Sequence, residues 1–189
     1  MPEAHYFGRT TERDFLLISA IAGADASAGV WRGEPRRVIE ESANGLRAVR
    51  GVAIDDCPFD ARLWRRIEAA RRNVELGLVD ESDFDDERAG RSAASLFREL
   101  LETKPDDENL VFTHGDFCLP NVILNDWKTS GFVDWARGGV ADEYQDIALL
   151  ARSIAANFGA QHLPFLFDVL EIEADARKIR FYQLLDEFF

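Results

Sequence analysis

The chain has 189 residues, 47% of them hydrophobic and 30% charged, with 13 Gly and 6 Pro scattered without period. That balance excludes intrinsic disorder, collagen-like repeats and low-complexity sequence, and the length suits one domain with a sizeable core. Lys and Arg number 22 against 35 Asp and Glu, a net charge of −13; such a field repels phosphate backbones, so no nucleic-acid partner is expected, and it favours a cationic small molecule.

Residues 5–9 and 14–18 read as two strands around a Thr10–Arg13 turn, and the run Phe15-Leu16-Leu17-Ile18 has the character of a buried strand. The following AIAGADASAGVWRGEP, rich in Gly and small residues, reads as a loop or hinge. From Pro35 to about Ala53, Val38, Ile39, Ala43, Leu46 and Val49 recur at helical spacing, with Pro35 fitting the start. Asp60 is the expected N-cap of a helix through Leu76, closed by Gly77; Leu63, Ile67, Ala70 and Val74 form its apolar face and five arginines its outer face. Ser92 to Leu101 predicts a third helix with Leu96, Leu100 and Leu101 inward. Leu110–Thr113 reads as a strand, and Val122–Leu124 and Gly131–Val133 as a hairpin around Asn125–Ser130. Asp142 would cap a helix to about Phe158, and two more helices are expected near 162–171 and 174–187. The fold class is therefore α+β, mostly helical, with a small central β-hairpin.

Two cysteines, Cys57 and Cys118, are too few for a disulfide framework, and the N-terminal MPEAHYFGRTTERDF lacks a signal peptide's apolar core. The apolar stretch Phe15–Ala24 is far shorter than a membrane span. The expectation is a cytoplasmic protein with no membrane partner.

The sharpest local pattern is His114-Gly115-Asp116, then Asn121, then Asp134: H-G-D-x-x-x-x-N followed by an aspartate after a second strand. Phosphoryl transfer needs a carboxylate to orient the attacking hydroxyl and oxygen ligands for magnesium, and a loop Asp five residues before an Asn can point both into one cleft. The plainer alternative is a loop in which Asp116 and Asn121 make Asx turns. His114 reads as a packed or hydrogen-bonding residue, and His114 with Cys118 supplies too few ligands for zinc. Asp80–Glu87 holds six acids in eight residues, Asp80, Glu81, Asp83, Asp85, Asp86 and Glu87; this suits a cluster of ammonium groups, or else a solvated helix start capped by Ser82.

The segments VFTHGDFCLPNVILND, GFVDWARGGVADEYQDIAL and the terminal FYQLLDEFF resemble the aminoglycoside 3′-phosphotransferases, most of all the type II neomycin–kanamycin kinases. Weaker similarity runs back through CPFD and GLVDESDFDDERAG to Phe15–Ile18, so the resemblance spans nearly the whole chain. It implies the C-terminal lobe of a protein-kinase-like fold and an ATP-dependent, Mg2+-dependent transfer to the hydroxyl of a cationic aminoglycoside antibiotic, hence antibiotic resistance. Asp116 would be the catalytic aspartate, Asn121 and Asp134 the magnesium ligands, and Arg137 a neighbour of the active site. Asp146 would brace the catalytic loop. Asp83, Asp85, Asp86, Arg152, Asp186, Glu187 and the Phe189 carboxylate would face the antibiotic, and Ser19, Ala20 and Ile21 would meet the nucleotide.

Two departures stand against that pattern. Ser153 follows Arg152 where the most similar members carry aspartate. More seriously, kinases of this type place a phosphate-covering loop and a strand lysine ahead of the hinge, whereas the lysines here are Lys104, Lys128 and Lys178. Residues 1–22 therefore read as a remnant of the N-terminal lobe and hinge, and 23–189 as the kinase-like lobe with its helical substrate-binding part. The expectation is a crippled kinase; the alternatives are an inactive or binding-only lobe and a related kinase with another small substrate. An uncovered N-terminal strand would further promote self-association.

Overall fold

A computed structural model describes residues 2–189. Strands β1 (Ala4–Arg9) and β2 (Asp14–Ile18) pair antiparallel, with Tyr6 opposite Leu17 and Phe7 opposite Leu16. The Thr10 hydroxyl closes their turn by accepting the Arg13 N–H at 3.0 Å. The expected burial of Phe15–Ile18 is not observed: these four side chains are 44% to 61% exposed. The two strands pair only with each other among the described residues, and side chains on both faces stay exposed. The chain is then tied to the rest of the fold by Ser130 Oγ, which donates to the Ala22 carbonyl at 2.6 Å.

The glycine-rich segment expected as a loop contributes a short strand, β3 (Ala24–Asp25). Gly23 permits this: its φ is +126°, and a Cβ there would stand 2.1 Å from the Leu124 carbonyl oxygen. Trp31 beyond it is buried, its indole N–H donating to the Asp25 carbonyl at 2.9 Å. Helix α1 (Pro35–Arg50) starts on its proline and buries all five positions that the spacing singles out.

Helix α2 (Leu63–Glu75) corrects two expectations. It starts three residues after Asp60, whose carboxylate instead accepts the Arg62 N–H and pairs with the Arg62 guanidinium at 2.9 Å. The Leu63 N–H goes to Glu108 Oε1 at 2.7 Å, a cap 45 residues distant. Arg66, expected on the outer face, is buried. In α3 (Ala93–Glu102), Ser92 caps by accepting the Ser95 N–H, while Leu101 is 41% exposed; Ala93, Leu96, Phe97 and Leu100 make the buried stripe instead. The acidic run 80–87 is a series of turns, so the helix-start alternative does not hold.

Strands β4 (Leu110–Thr113), β5 (Val122–Asn125) and β6 (Lys128–Phe132) follow the expected order, the β5–β6 turn tightening to Asp126-Trp127 at φ +48° and +60°. Strand β7 (Gly139–Asp142), not foreseen, pairs antiparallel with β4, and β3 adds to the hairpin in the order β3-β5-β6. Helices α4 (Tyr144–Phe158), α5 (Leu163–Leu170) and α6 (Ala176–Asp186) complete the chain. Asp142 does accept the Tyr144 N–H at 2.9 Å, but it also holds the Asn109 N–H and, at 3.0 Å, Lys178 Nζ. The core centres on α4, whose fully buried Ile147, Ala148, Leu150 and Ile154 join Phe181, Leu184 and Leu185 of α6 in one cluster. The architecture is thus mostly helical α+β with small antiparallel sheets. Among the described residues no helix is long and apolar enough to cross a membrane.

Candidate active site

The loop after β4 is built from its backbone outward. Asp146, fully buried in the first turn of α4, accepts the N–H of His114 at 2.6 Å and of Gly115 at 2.8 Å. Gly115 has φ +85°, and a Cβ would stand 2.1 Å from the Arg137 carbonyl oxygen, so only glycine lets the two loops meet. His114 Nε2 lies 2.8 Å from the Val133 carbonyl, which requires the proton on Nε2. Burial pushes this imidazole's pKa down, and the neutral ring serves as a tie between the loop and the residue before Asp134. Ser153 Oγ accepts the Leu119 N–H at 3.0 Å and so braces the same loop from α4.

These ties bring Asp116, Asn121 and Asp134 together. Asn121 Nδ2 donates to the Asp116 carbonyl at 2.9 Å and to Asp116 Oδ2 at 3.2 Å. The Asn121 carbonyl accepts the Val133 N–H at 3.0 Å, which sets the exposed Asp134 beside Asn121. Asp134 itself stands at φ +61°. Arg137 Nη2 pairs with Asp116 Oδ2 at 2.9 Å. An amide oxygen and an exposed carboxylate form a donor set that fits magnesium completed by phosphate oxygens and water. Cys118, on the same loop, has its thiol pushed up to about 12 by burial, with Asp116 adding to it, which keeps it in the thiol form.

A cleft of 490 Å³ opens between the acidic turns, α4 and the C-terminal residues, reached from the Asp116 loop by Cys118 and Pro120. Asp83, Asp85, Arg152, Asp186, Glu187 and Phe189 line it; Asp86 faces an adjoining depression with Phe167 and Ile179. An alternating chain of charges runs along the cleft. Asp116 pairs with Arg137, and Arg137 Nη1 with Asp186 Oδ1 at 2.8 Å. Arg152 pairs with Asp186 and, at 3.3 Å, with Asp85. Arg88 pairs with Asp85 at 3.1 Å and with Glu187 at 2.9 Å. Burial and the Asp85 carboxylate push Glu187 up to about 7. Sequence reasoning missed Arg88 and also Asn73, which lines the cleft from α2; nothing in a helix's amphipathic pattern marks a half-buried asparagine as cleft-lining.

Ser19, Ala20 and Ile21 lie apart from this cleft, in the link between β2 and β3. The Ser19 N–H donates to the Glu3 carbonyl at 2.8 Å, and Ser19 Oγ accepts the Glu3 N–H at 2.8 Å. Ile21 packs over Gly131 of β6.

A family model described as the phosphotransferase enzyme family matches residues 1–182. The chain belongs to that family. An aminoglycoside 3′-phosphotransferase of Niallia circulans is 39% identical over 193 residues, covering all of this chain and 72% of its own length. The crystal structure of a type VIII aminoglycoside-3′-phosphotransferase superposes with a TM-score of 0.88 at 35% identity, over all of this chain and 73% of the other. An aminoglycoside phosphotransferase of Streptomyces rimosus, solved with ADP and streptomycin, superposes at 0.89 with 27% identity, over 99% and 74% of the two chains. Family membership makes the chain a phosphotransferase-type protein and places its H-G-D loop, helices and small sheets in a kinase-like fold.

Proposed function

We propose that the protein acts as an aminoglycoside O-phosphotransferase of the 3′ type, moving the γ-phosphoryl group of ATP to an antibiotic hydroxyl. The observation that carries the reading is Asp116, held by Asn121 and by Arg137, which in turn pairs with Asp186 in the wall of a cleft that also holds Asp83, Asp85 and Glu187. The relatives' names and the ADP and streptomycin in the Streptomyces rimosus structure support the same substrate pair.

Each residue has a chemical task in this reading. The substrate hydroxyl oxygen forms the new O–P bond as the bond between the γ-phosphorus and the bridging oxygen of the leaving ADP breaks. The hydroxyl proton passes to the Asp116 carboxylate. Asn121 and Asp134 would hold magnesium, which when bound neutralises charge on the phosphates. The cleft carboxylates pair with ammonium groups of the antibiotic; single exposed ion pairs contribute roughly 0–1 kcal/mol, so several must act at once. Ser19 to Ile21 would meet the nucleotide base through backbone groups.

A binding-dominated variant of the reading has its own support. Lys128 pairs with Glu41 at 2.8 Å and Lys178 with Asp142 at 3.0 Å, while Lys104 is exposed after α3, so none is a candidate to clamp the nucleotide phosphates. Turnover by the 189-residue chain is therefore expected well below the roughly 1–100 s⁻¹ of kinases. The deciding experiment is Mg-ATP-dependent phosphorylation of kanamycin by this chain, with D116N as control, beside calorimetric titration of kanamycin. Transfer abolished in D116N supports the kinase; binding without transfer supports the binding lobe; neither, in a folded chain, overturns both.

A further inference from the structure

Arg66 is a buried charge that the chemistry above does not use and that no ion pair answers among the described residues. It sits on α2 with 8% exposure, and its Nε and Nη2 have no hydrogen-bond partner among the described residues. Burial and the nearby Arg137 push it down to about 10, so it remains a cation, within the field of Asp186 and Asp116. A buried cation without hydrogen bonds is costly, and so calls for a compensating contact. That contact is the Phe189 ring, 3.9 Å below the guanidinium carbon. Two turns on, Asn73 Nδ2 donates to the Phe188 carbonyl at 2.8 Å. Phe188 itself is buried against Phe97 of α3, ring centroids 5.8 Å apart.

Helix α2 thus grips two successive C-terminal residues, one by its ring and one by its carbonyl. The residues just before them, Asp186 and Glu187, supply two carboxylates of the cleft, and Arg137, Arg152 and Arg88 hold these from the cleft side. We propose that Arg66, with Asn73, is a positioning residue that clamps Phe188–Phe189 to α2 and thereby sets where the Asp186 and Glu187 carboxylates stand for a polycationic ligand. The clamp needs a delocalised or point cation over the ring and an amide at the carbonyl; it needs no contact between Arg66 and the ligand. The ligand half of this inference rests on the antibiotic reading of the cleft.

Two readouts separate the clamp from that reading. The first is hydrogen–deuterium exchange of peptides covering 182–189 in R66M, R66K and N73L, with peptides from α4 as internal reference. R66M and N73L are expected to speed exchange in 182–189 alone, and R66K to restore protection. The second is calorimetric titration of kanamycin, where loss of a desolvated cation–π contact predicts a Kd about tenfold higher for R66M and a return to within about threefold for R66K. Unchanged exchange in both R66M and N73L overturns the clamp. Faster exchange with unchanged kanamycin affinity overturns its role in the cleft. A wild-type chain that binds no kanamycin overturns the antibiotic reading, while the exchange arm still decides the clamp. Should R66M fail to fold, R66Q replaces it in both arms, and N73L is read in the exchange arm alone because Asn73 lines the cleft.

Discussion

Asp146 concentrates the demands of the active loop on one side chain. It is fully buried, and its two oxygens receive the N–H groups of His114 and Gly115. D146N would turn an NH2 group toward one of these backbone donors and leave that N–H unpaired. An unsatisfied buried donor costs about 1–3 kcal/mol, which for a domain near this size lowers Tm by roughly 2–12 °C. Differential scanning calorimetry checks this, and a Tm within about 1 °C of wild type would contradict the role.

Asp146 and Glu187 also predict a pH dependence. Burial pushes each up to about 7 from ordinary values of 3.8 and 4.5. The native chain then keeps protons that the unfolded chain has released, so the stability they contribute is complete below about pH 4 and is lost as pH climbs through about 7. Urea midpoints should fall across that window, and E187Q should flatten part of the slope. A midpoint rising through it would refute the assignment. H-G-D and the following Asn were legible as a motif because four residue types stand at fixed offsets within eight positions. Their ties to Ser153, Val133 and Asp146 were less so, since hydrogen bonds across 19 to 34 residues leave no local pattern.

At the scale of elements, the helices followed the 3.6-residue period wherever one face meets the core, as in α1, whose five predicted apolar positions are all buried. The start of α2 did not follow from local chemistry. A capping aspartate was available at Asp60, yet the arginines beside it engage it, and Glu108 caps from the loop before β4. Removing that cap in E108A should cost about 1 kcal/mol, within the range for lost N-caps. Chemical denaturation measures it, with D60A as the comparison; a larger loss for D60A would restore the local cap. Strand β7 escaped notice because a four-residue strand opening with Gly has little β signature of its own, and pairing with β4 defines it.

The whole molecule presents two features of opposite character. One is the cleft, where three arginines alternate with four carboxylates, the acids in excess, along a chain that ends on Asp116. The other is the β1–β2 hairpin, with Tyr6 and Leu17 on one face and Phe7 and Leu16 on the other, all at least 59% exposed. A lone two-stranded sheet is marginal in water, and exposed apolar edges pair with further strands. The expected outcome for the 189-residue chain is reversible self-association in sedimentation velocity over a concentration series. F7T/L16K should weaken it without altering the far-UV spectrum of the helices, and a monodisperse monomer throughout would refute it.

What the sequence alone determined is what short-range chemistry controls: the helical periods, the Thr10–Arg13 turn, the H-G-D-x-x-x-x-N spacing and the acid-rich 80–87 run. Those signals survive in one dimension because the interacting residues lie within a few positions of one another. Only the tertiary structure decided that Arg66 is buried under Phe189, that Glu108 caps α2, that β7 joins β4, and that Asp186 and Glu187 stand paired with Arg88, Arg137 and Arg152. Each joins residues 26 to 123 positions apart, where burial and charge pairing depend on which elements the packed core brings together.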